Sequence, residues 1–181
     1  MLQGMGVNVV QDEVVGIDAQ KKNVTTADGK TFDYDKLFMA TGSSSFVPPI
    51  EGSGLDGVMT LRGLPDAEKI KSAIGAGVKN IIFIGAGFIS METATLIADH
   101  GEPGLSLTVV ELMDRPLPLM LDKEMADKVQ AYLEEKGLKI MTGKTVEKIT
   151  GKNGKVTGVR LASGETLEAD VVFMNVGVRP N

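Results

Sequence analysis

Three observations predict an α/β fold in which a parallel sheet is joined to antiparallel β-meanders. Between residues 80 and 142, apolar runs alternate with segments of helical periodicity. Before and after that region, short strand-like segments are separated by turn residues. The chain has 181 residues and 43% hydrophobic content, which is enough to bury a core. We therefore expect one complete domain with a parallel sheet, together with part of a second domain.

The N-terminal region is typical of a β-meander. Four segments have strand composition: 7–10, 13–18, 23–27 and 30–35. The pair Asp28-Gly29 predicts a tight turn between the last two. Residues 36–40, KLFMA, form a continuous apolar run, which predicts a strand buried on both faces. Residues 42–54 then concentrate Gly, Ser and Pro, so they are the best candidate for a linker.

The middle of the chain alternates helices with strands. After a helix at about 65–74, strands are expected at 81–85, 105–111 and 138–142, and helices at 91–100 and about 122–136. Asp122 is a suitable N-cap for the last helix, and Gly137 a suitable stop. The apolar stripe of that helix consists of Met125, Ala126, Val129 and Leu133. Right-handed crossovers between such strands give a Rossmann-like, three-layer domain.

A second meander follows, and its end repeats the end of the first. Asn153-Gly154 predicts a hairpin turn. Residues 163–177 match residues 28–42 at 6 of 15 positions, with a constant offset of 135. Duplication and shared strand composition both explain such a match. Duplication implies two similar domains, one of which lies mostly before residue 1, so we expect the chain to be a fragment.

The stretch IIFIGAGFIS predicts a phosphate-binding turn. A buried strand ends at Gly85-Ala86-Gly87, and a helix follows through Phe88, Ile89 and Ser90. Such a turn aims unpaired backbone N–H groups and the positive end of a helix at a pyrophosphate. Gly85 permits the turn, Gly87 lets phosphate approach, and Ser90 is small enough for helix and strand to pack closely. The alternative is a turn that needs glycine for packing alone.

Glu111 ends the next strand, where dinucleotide-binding domains carry an acidic residue. A carboxylate there accepts hydrogen bonds from the adenosine ribose hydroxyls and repels a 2′-phosphate. NADH is thus preferred over NADPH, although the nearby Arg115 would suit a 2′-phosphate. Glu92, in the first turns of the helix, could reach the nicotinamide half. The alternatives are a solvated strand end for Glu111 and a plain helix-start residue for Glu92.

Composition excludes several other classes of function. The net charge is −5 and no basic stripe is present, so nucleic-acid binding is not expected. No apolar run approaches the roughly 20 residues that span a bilayer, and no signal peptide is evident, so we expect a cytoplasmic protein without membrane contact. The chain has one histidine and no cysteine, so we expect neither a metal site nor a redox dithiol.

Together the motifs YDKLFMATG, IGAGFISMETA, VVELMDRPLP and ADVVFMNVGVRPN resemble the FAD- and NAD-linked pyridine nucleotide-disulfide oxidoreductase superfamily. The resemblance covers essentially the whole chain. It is strongest to the branch that contains NADH oxidase, coenzyme A-disulfide reductase and the flavin part of nitrite reductase. It implies hydride transfer from NADH to FAD, with no catalytic side chain in this chain.

The resemblance also implies roles for individual residues. Ala40, Thr41 and Gly42 would close the FAD domain near the flavin, and Gly177 would line the NAD cleft. Phe88 would shield the flavin until nicotinamide displaces it, and Glu92 would lie beside the nicotinamide. Ile89 belongs to the same cofactor-binding turn.

The resemblance divides the chain into a part of the FAD domain (1–55), an NAD-binding domain (56–168) and a return strand (169–181). The rest of the FAD domain and an interface domain would be supplied by a parent chain, which we expect to be a homodimer. A non-redox nucleotide-binding sensor is the alternative, but it would need only one dinucleotide domain. A Rossmann methyltransferase is a third possibility, but the repeat does not support it.

Overall fold

A computed structural model describes residues 2–100 and 103–181, which form two compact units that meet in sequence between Thr41 and Gly42. The first unit begins with a 3₁₀ helix, Leu2–Met5. It continues with an antiparallel sheet of three strands in chain order: β1 (Val14–Asp18), β2 (Asn23–Thr26) and β3 (Thr31–Asp33). Three of the predicted N-terminal strands are therefore confirmed.

The predicted strands at 7–10 and 36–40 are wrong, because both segments lack regular secondary structure. Phe38, in the apolar run, is 90% exposed. A strand that is buried on both faces needs a neighbouring strand on each side. None of the described segments pairs with 36–40, whereas its counterpart in the repeat, 171–175, contains a strand with two neighbours.

The second unit contains ten strands and three helices in its described residues. The strands are β4 (Ser43–Ser45), β5 (Val58–Met59), β6 (Asn80–Ile84), β7 (Ser106–Val110), β8 (Leu138–Met141), β9 (Val146–Lys152), β10 (Lys155–Leu161), β11 (Thr166–Glu168), β12 (Val171–Met174) and β13 (Val178–Pro180). The helices are α1 (Leu64–Gly75), α2 (Phe88–His100) and α3 (Lys123–Glu135). The predicted alternation of helices and strands is confirmed.

A five-stranded parallel sheet, in the order β5-β12-β6-β7-β8, forms the centre of this unit. The antiparallel meander β9-β10-β11 forms a second sheet, and β4 pairs with β13 in a two-stranded ribbon. Asn153-Gly154 makes the predicted hairpin turn between β9 and β10. This order places the return strand β12 inside the parallel sheet, next to β6.

The parallel sheet is covered on both faces, which gives the three layers that the sequence predicts. On one face, residues of all three helices pack against alternate strand residues, among them the stacked rings of Phe83 and Phe173, whose centroids are 4.9 Å apart. On the other face, Ile82 and Val172 pack against meander residues such as Val159. Successive side chains of a strand point to opposite faces of the sheet, so each strand contributes residues to both cores.

Caps fix the ends of two helices. The Asp122 carboxylate accepts a hydrogen bond from the Met125 N–H at 2.9 Å, which confirms the predicted N-cap of α3. At α1, the Asp66 carboxylate accepts bonds from the backbone N–H groups of Arg62 and Gly63. Met125 itself is 47% exposed, so the predicted apolar stripe of α3 is wrong at that position. Ala126, the next residue, is completely buried, so the buried face of α3 begins one position later than the predicted stripe.

No helix in the described part of the chain is long and apolar enough to cross a membrane. Across the same residues, no group of three or more His, Cys, Asp or Glu side chains is placed to hold a metal ion.

Candidate functional site

A cavity of about 780 Å³ opens at the carboxyl ends of the parallel strands in the second unit. Its walls include the residues that follow β6, β7 and β12, namely Gly85, Glu111 and Asn175. In open parallel sheets, ligands bind outside the carboxyl ends of the strands. The volume lies within the range of about 300–1,000 Å³ that small-molecule and cofactor sites occupy.

The glycine turn connects β6 to α2 as the sequence predicts. Gly85 has a φ of +92°, and a Cβ atom there would lie 3.0 Å from a Val176 methyl, so the position favours glycine. The Gly85 N–H donates to the Val110 carbonyl at 2.8 Å. At Gly87, by contrast, an added Cβ would meet no atom within 4 Å. The space above Gly87 is therefore open. Gly87 directly precedes the N-terminal end of α2, where the first N–H groups have no helical partner.

Ser90 lies beneath this turn rather than in the wall of the cavity. Its side chain is completely buried, and its hydroxyl has no hydrogen-bond partner among the described residues. A small residue here lets α2 pack closely on the sheet, in agreement with the packing role of the third position in the fingerprint. The unpaired hydroxyl is the cost of serine in a place that glycine or alanine fills without a polar atom.

Glu111 connects the turn to the next strand end. Only 8% of the residue is exposed, and its carboxylate accepts hydrogen bonds from the Ala86 N–H at 2.6 Å and the Met113 N–H at 2.8 Å. Both carboxylate oxygens therefore accept bonds from the backbone, one from the turn after β6 and one from the loop after β7. Each oxygen keeps a second lone pair, so the carboxylate can still accept a bond from a ligand.

Residues 112–121 form an apolar loop above the cavity. Leu117 adopts a φ of +51°, which is uncommon for a residue with a side chain, and its N–H donates to the Ala86 carbonyl at 2.9 Å. The Arg115 guanidinium is held inside this loop by the carbonyls of Leu121 and Pro118 and by the Asp114 carboxylate. Arg115 therefore stabilises the loop instead of presenting its charge to the cavity.

The structure brings six of the predicted site residues together in one cavity: Gly85, Gly87, Phe88, Ile89, Glu111 and Gly177. Phe88 and Ile89 are exposed at its rim. Glu92 is exposed on α2, and Ser90 and Gly42 also lie outside the cavity wall. Ala40 and Thr41 belong to the first unit, and their roles stay predictions.

Sequence reasoning missed three polar residues of the cavity wall, Asn175, Lys144 and Thr145. The Asn175 carbonyl oxygen accepts a bond from the Leu61 N–H at 3.1 Å, while its buried amide nitrogen has no partner among the described residues. Asn175 directly follows β12, so a search for polar residues at every strand end would have found it. Lys144 lies three residues after the end of β8, and only the strand order reveals its closeness to Glu111.

The cavity suits binding and orientation more than acid–base chemistry. Of the described residues in its wall, Glu111 and Lys144 are the two with ionisable side chains. Apolar side chains such as Leu112, Met113 and Met120 provide most of the remaining surface. The arrangement can hold a ligand that has an anionic group near the start of α2 and apolar surface against the rest of the wall.

Comparison with known proteins identifies the family of the chain. Residues 3–181 match the model of the pyridine nucleotide-disulphide oxidoreductase family. An NADH oxidase of Methanocaldococcus jannaschii is 39% identical over 178 residues, which cover 96% of this chain and 39% of that protein. The chain therefore spans less than half the length of this relative.

Solved structures agree with the sequence match. A ferredoxin reductase from Rhodopseudomonas palustris superposes with a TM-score of 0.90 at 29% identity, covering 99% of this chain and 44% of the other. A water-forming NADH oxidase from Lactobacillus brevis, bound to NADH, gives a TM-score of 0.83 at 30% identity, covering 99% and 40%. The chain belongs to the pyridine nucleotide-disulphide oxidoreductase family.

Proposed function

We propose that this chain is the NAD(H)-binding portion of an FAD-dependent oxidoreductase that passes hydride from NADH to the flavin. The observation that carries the proposal is the glycine turn, with open space above Gly87 at the start of α2, inside a cavity of about 780 Å³. The relatives named above are oxidases and a reductase, which gives a non-redox sensor no support.

The residues present fit a dinucleotide. The N–H groups at the start of α2 would bind the diphosphate, with Gly87 leaving room for it. Glu111 follows β7, the strand next to β6, and its carboxylate would accept hydrogen bonds from the adenosine ribose hydroxyls. In the opposite direction, Asn175 and Gly177 follow β12 and would border the nicotinamide half.

The bound nicotinamide would supply a hydride and the flavin would accept it. This chain's contribution would be to align the two rings and to exclude water from them. Phe88 and Ile89 provide apolar surface at the rim of the cavity, and Glu92 lies exposed on the same helix. We propose that Phe88 covers the flavin in the absence of nicotinamide, and that Glu92 lies near the nicotinamide when it is bound.

NADH is the proposed cofactor in preference to NADPH. The buried Glu111 carboxylate would lie beside the 2′ position, where it repels an added phosphate. Arg115, which could have offset this repulsion, is engaged by the carbonyls of its own loop. Tighter binding of NADPH than of NADH would overturn this part of the proposal.

The flavin would be bound mainly by parts of a parent protein outside this chain. We propose that residues 1–55 complete its FAD domain, with Ala40, Thr41 and Gly42 near the flavin. Residues 56–168 would be the NAD-binding domain, and residues 169–181 would return toward the FAD domain. We further propose that the parent is a cytoplasmic homodimer with an interface domain. The chain by itself would bind NADH without turnover.

A binding experiment with two glycine variants tests the proposal. Gly87→Val fills the open space above the turn and should weaken NADH binding by about tenfold or more, since 1.4 kcal/mol corresponds to a factor of ten. Gly54→Val is the matched control, because a Cβ there also meets no atom within 4 Å but the residue lies outside the cavity wall. Calorimetric titration with NADH should distinguish them. Equal NADH affinity of the two variants would refute the proposed site.

A further inference from the structure

We propose that Lys144 recognises a 2′-phosphate on the adenosine ribose and so limits the preference of this site for NADH over NADPH. This inference rests on the proposed function, since it assigns a specificity residue to the same cavity. Lys144 lies in the cavity wall together with Glu111, and the two side chains carry opposite charges.

The backbone holds Lys144 beside the end of β7. The Lys144 N–H donates to the Glu111 carbonyl at 2.9 Å, and the preceding Gly143 N–H donates to the Met113 carbonyl at 2.7 Å. Two hydrogen bonds therefore fix the start of the β8–β9 connection against the segment that Glu111 begins. The Lys144 side chain starts from a position that these bonds define.

The strand order decides which part of a dinucleotide Lys144 would meet. The diphosphate belongs at the turn after β6, and the adenosine ribose belongs at the end of β7. Lys144 follows β8, which is the next strand beyond β7 and lies two strands away from β6. Lys144 is thus placed on the adenosine side of the cavity, away from α2 and the diphosphate.

The charges around Lys144 leave it suited to an anion of the ligand. Lys144 is partly buried, and it takes part in none of the ion pairs among the described residues. The Glu111 oxygens accept bonds from Ala86 and Met113, and Arg115 is bonded within its own loop. Lys144 is therefore the cation in the described cavity wall that a 2′-phosphate could reach.

The consequence is a smaller penalty for NADPH than Glu111 alone would impose. The carboxylate repels the 2′-phosphate, while the ammonium group at the same edge of the sheet attracts it. The proposed selectivity of this site is the difference between these two contributions. Removing Lys144 should therefore strengthen the preference for NADH by weakening the binding of the phosphorylated cofactor.

ADP-ribose and 2′-phospho-ADP-ribose are suitable probes, because they differ only in the 2′-phosphate and need no flavin. Lys144→Gln should weaken 2′-phospho-ADP-ribose binding by about five- to tenfold, as expected for loss of one charge-assisted contact, and leave ADP-ribose unchanged. Lys144→Arg keeps the charge and should retain the affinity. Lys139→Gln, an exposed lysine on β8 outside the cavity wall, is the matched control. Affinities are measured by calorimetry on variants whose thermal unfolding matches the original chain.

The outcomes separate this inference from the proposed function. If the original chain binds neither probe, the proposed function is refuted, and this inference is refuted with it. Binding of both probes, with an equal loss for both in Lys144→Gln, would place Lys144 at the diphosphate and overturn the inference alone. An unchanged affinity for 2′-phospho-ADP-ribose in Lys144→Gln would overturn it as well.

Discussion

Replacing Glu111 by glutamine tests whether this carboxylate holds the site together before any ligand binds. In the structure it accepts bonds from the Ala86 and Met113 N–H groups at 2.6 and 2.8 Å, and the residue is 8% exposed. Glutamine has nearly the same shape but offers one acceptor oxygen and one NH₂ group. One backbone N–H would then face another donor in a buried place.

The magnitude follows from these two bonds. A hydrogen bond to a charged group contributes about 1.5–3 kcal/mol, and an unpaired buried donor costs a similar amount. Glu111→Gln should therefore lower the free energy of unfolding by about 2 kcal/mol. For a chain of this size, that loss corresponds to roughly 6 °C in Tm. Glu111→Ala should cost more, because it leaves both N–H groups unpaired and a cavity behind.

Urea and thermal unfolding, followed by far-UV circular dichroism without nucleotide, measure this effect. Glu135→Gln, at the exposed end of α3, removes the same charge and should leave stability within about 0.5 kcal/mol of the original chain. If Glu111→Gln unfolds like Glu135→Gln, the carboxylate does not stabilise the two loops, and its role would be confined to ligand binding.

Three further predictions concern stability. Gly52 has a φ of +87°, and a Cβ atom there would lie 2.1 Å from the Ile149 carbonyl oxygen, so Gly52→Ala should cost about 3 kcal/mol in urea unfolding. Ser90→Ala removes a buried hydroxyl without a partner among the described residues and should raise stability by about 1 kcal/mol in the same assay. The hydrogen bond from Arg160 lowers the pKa of Glu147 below its usual 4.5. Its stabilising effect is therefore present above pH 4.5 and lost as the pH falls through the lowered pKa, so the Tm difference between the original chain and Glu147→Gln should shrink on acidification.

Each of these predictions has an internal check. Gly54→Ala, in an open turn, should be close to neutral, and equal losses at Gly52 and Gly54 would contradict the clash with Ile149. Ser90→Gly should be less stable than Ser90→Ala, because glycine is the poorer helix former by about 1 kcal/mol. A destabilised Ser90→Ala would mean that the hydroxyl has a partner. A pH-independent difference for Glu147→Gln would contradict the pairing with Arg160.

The α/β half of the fold could be predicted because its signals are local. Strand β6 is a continuous apolar run after Asn80, β7 and β8 consist mainly of apolar residues, and α3 has both a capping residue and a glycine stop, so each element shows its own boundaries. The run at 36–40 has the same composition but forms no strand, since composition cannot supply a neighbour to pair with. Its counterpart β12 lies between β5 and β6, which are distant in sequence.

The candidate site was predictable to a similar extent and for the same reason. The turn at Gly85 and Gly87 and the acidic residue Glu111 have fixed spacings along the chain, and all three lie in one cavity. The contacts that change their interpretation are tertiary. The enclosure of Arg115 by its own loop depends on a turn geometry that no spacing rule describes.

Several local energetic costs lie at one edge of the parallel sheet. The sheet interior is apolar and consistent with its pattern, whereas the carboxyl edge contains a buried amide at Asn175, a buried hydroxyl at Ser90 and a left-handed Leu117. Backbone strain and unpaired polar groups each cost about 1–3 kcal/mol, and they persist where the surrounding structure compensates for them. Because the same edge carries the open turn at Gly87, the simplest physical account is that the two apolar cores maintain an edge prepared for a ligand. Unpaired buried polar groups and strained backbone are expected at functional sites, and here they lie at the cavity and the turn beside it.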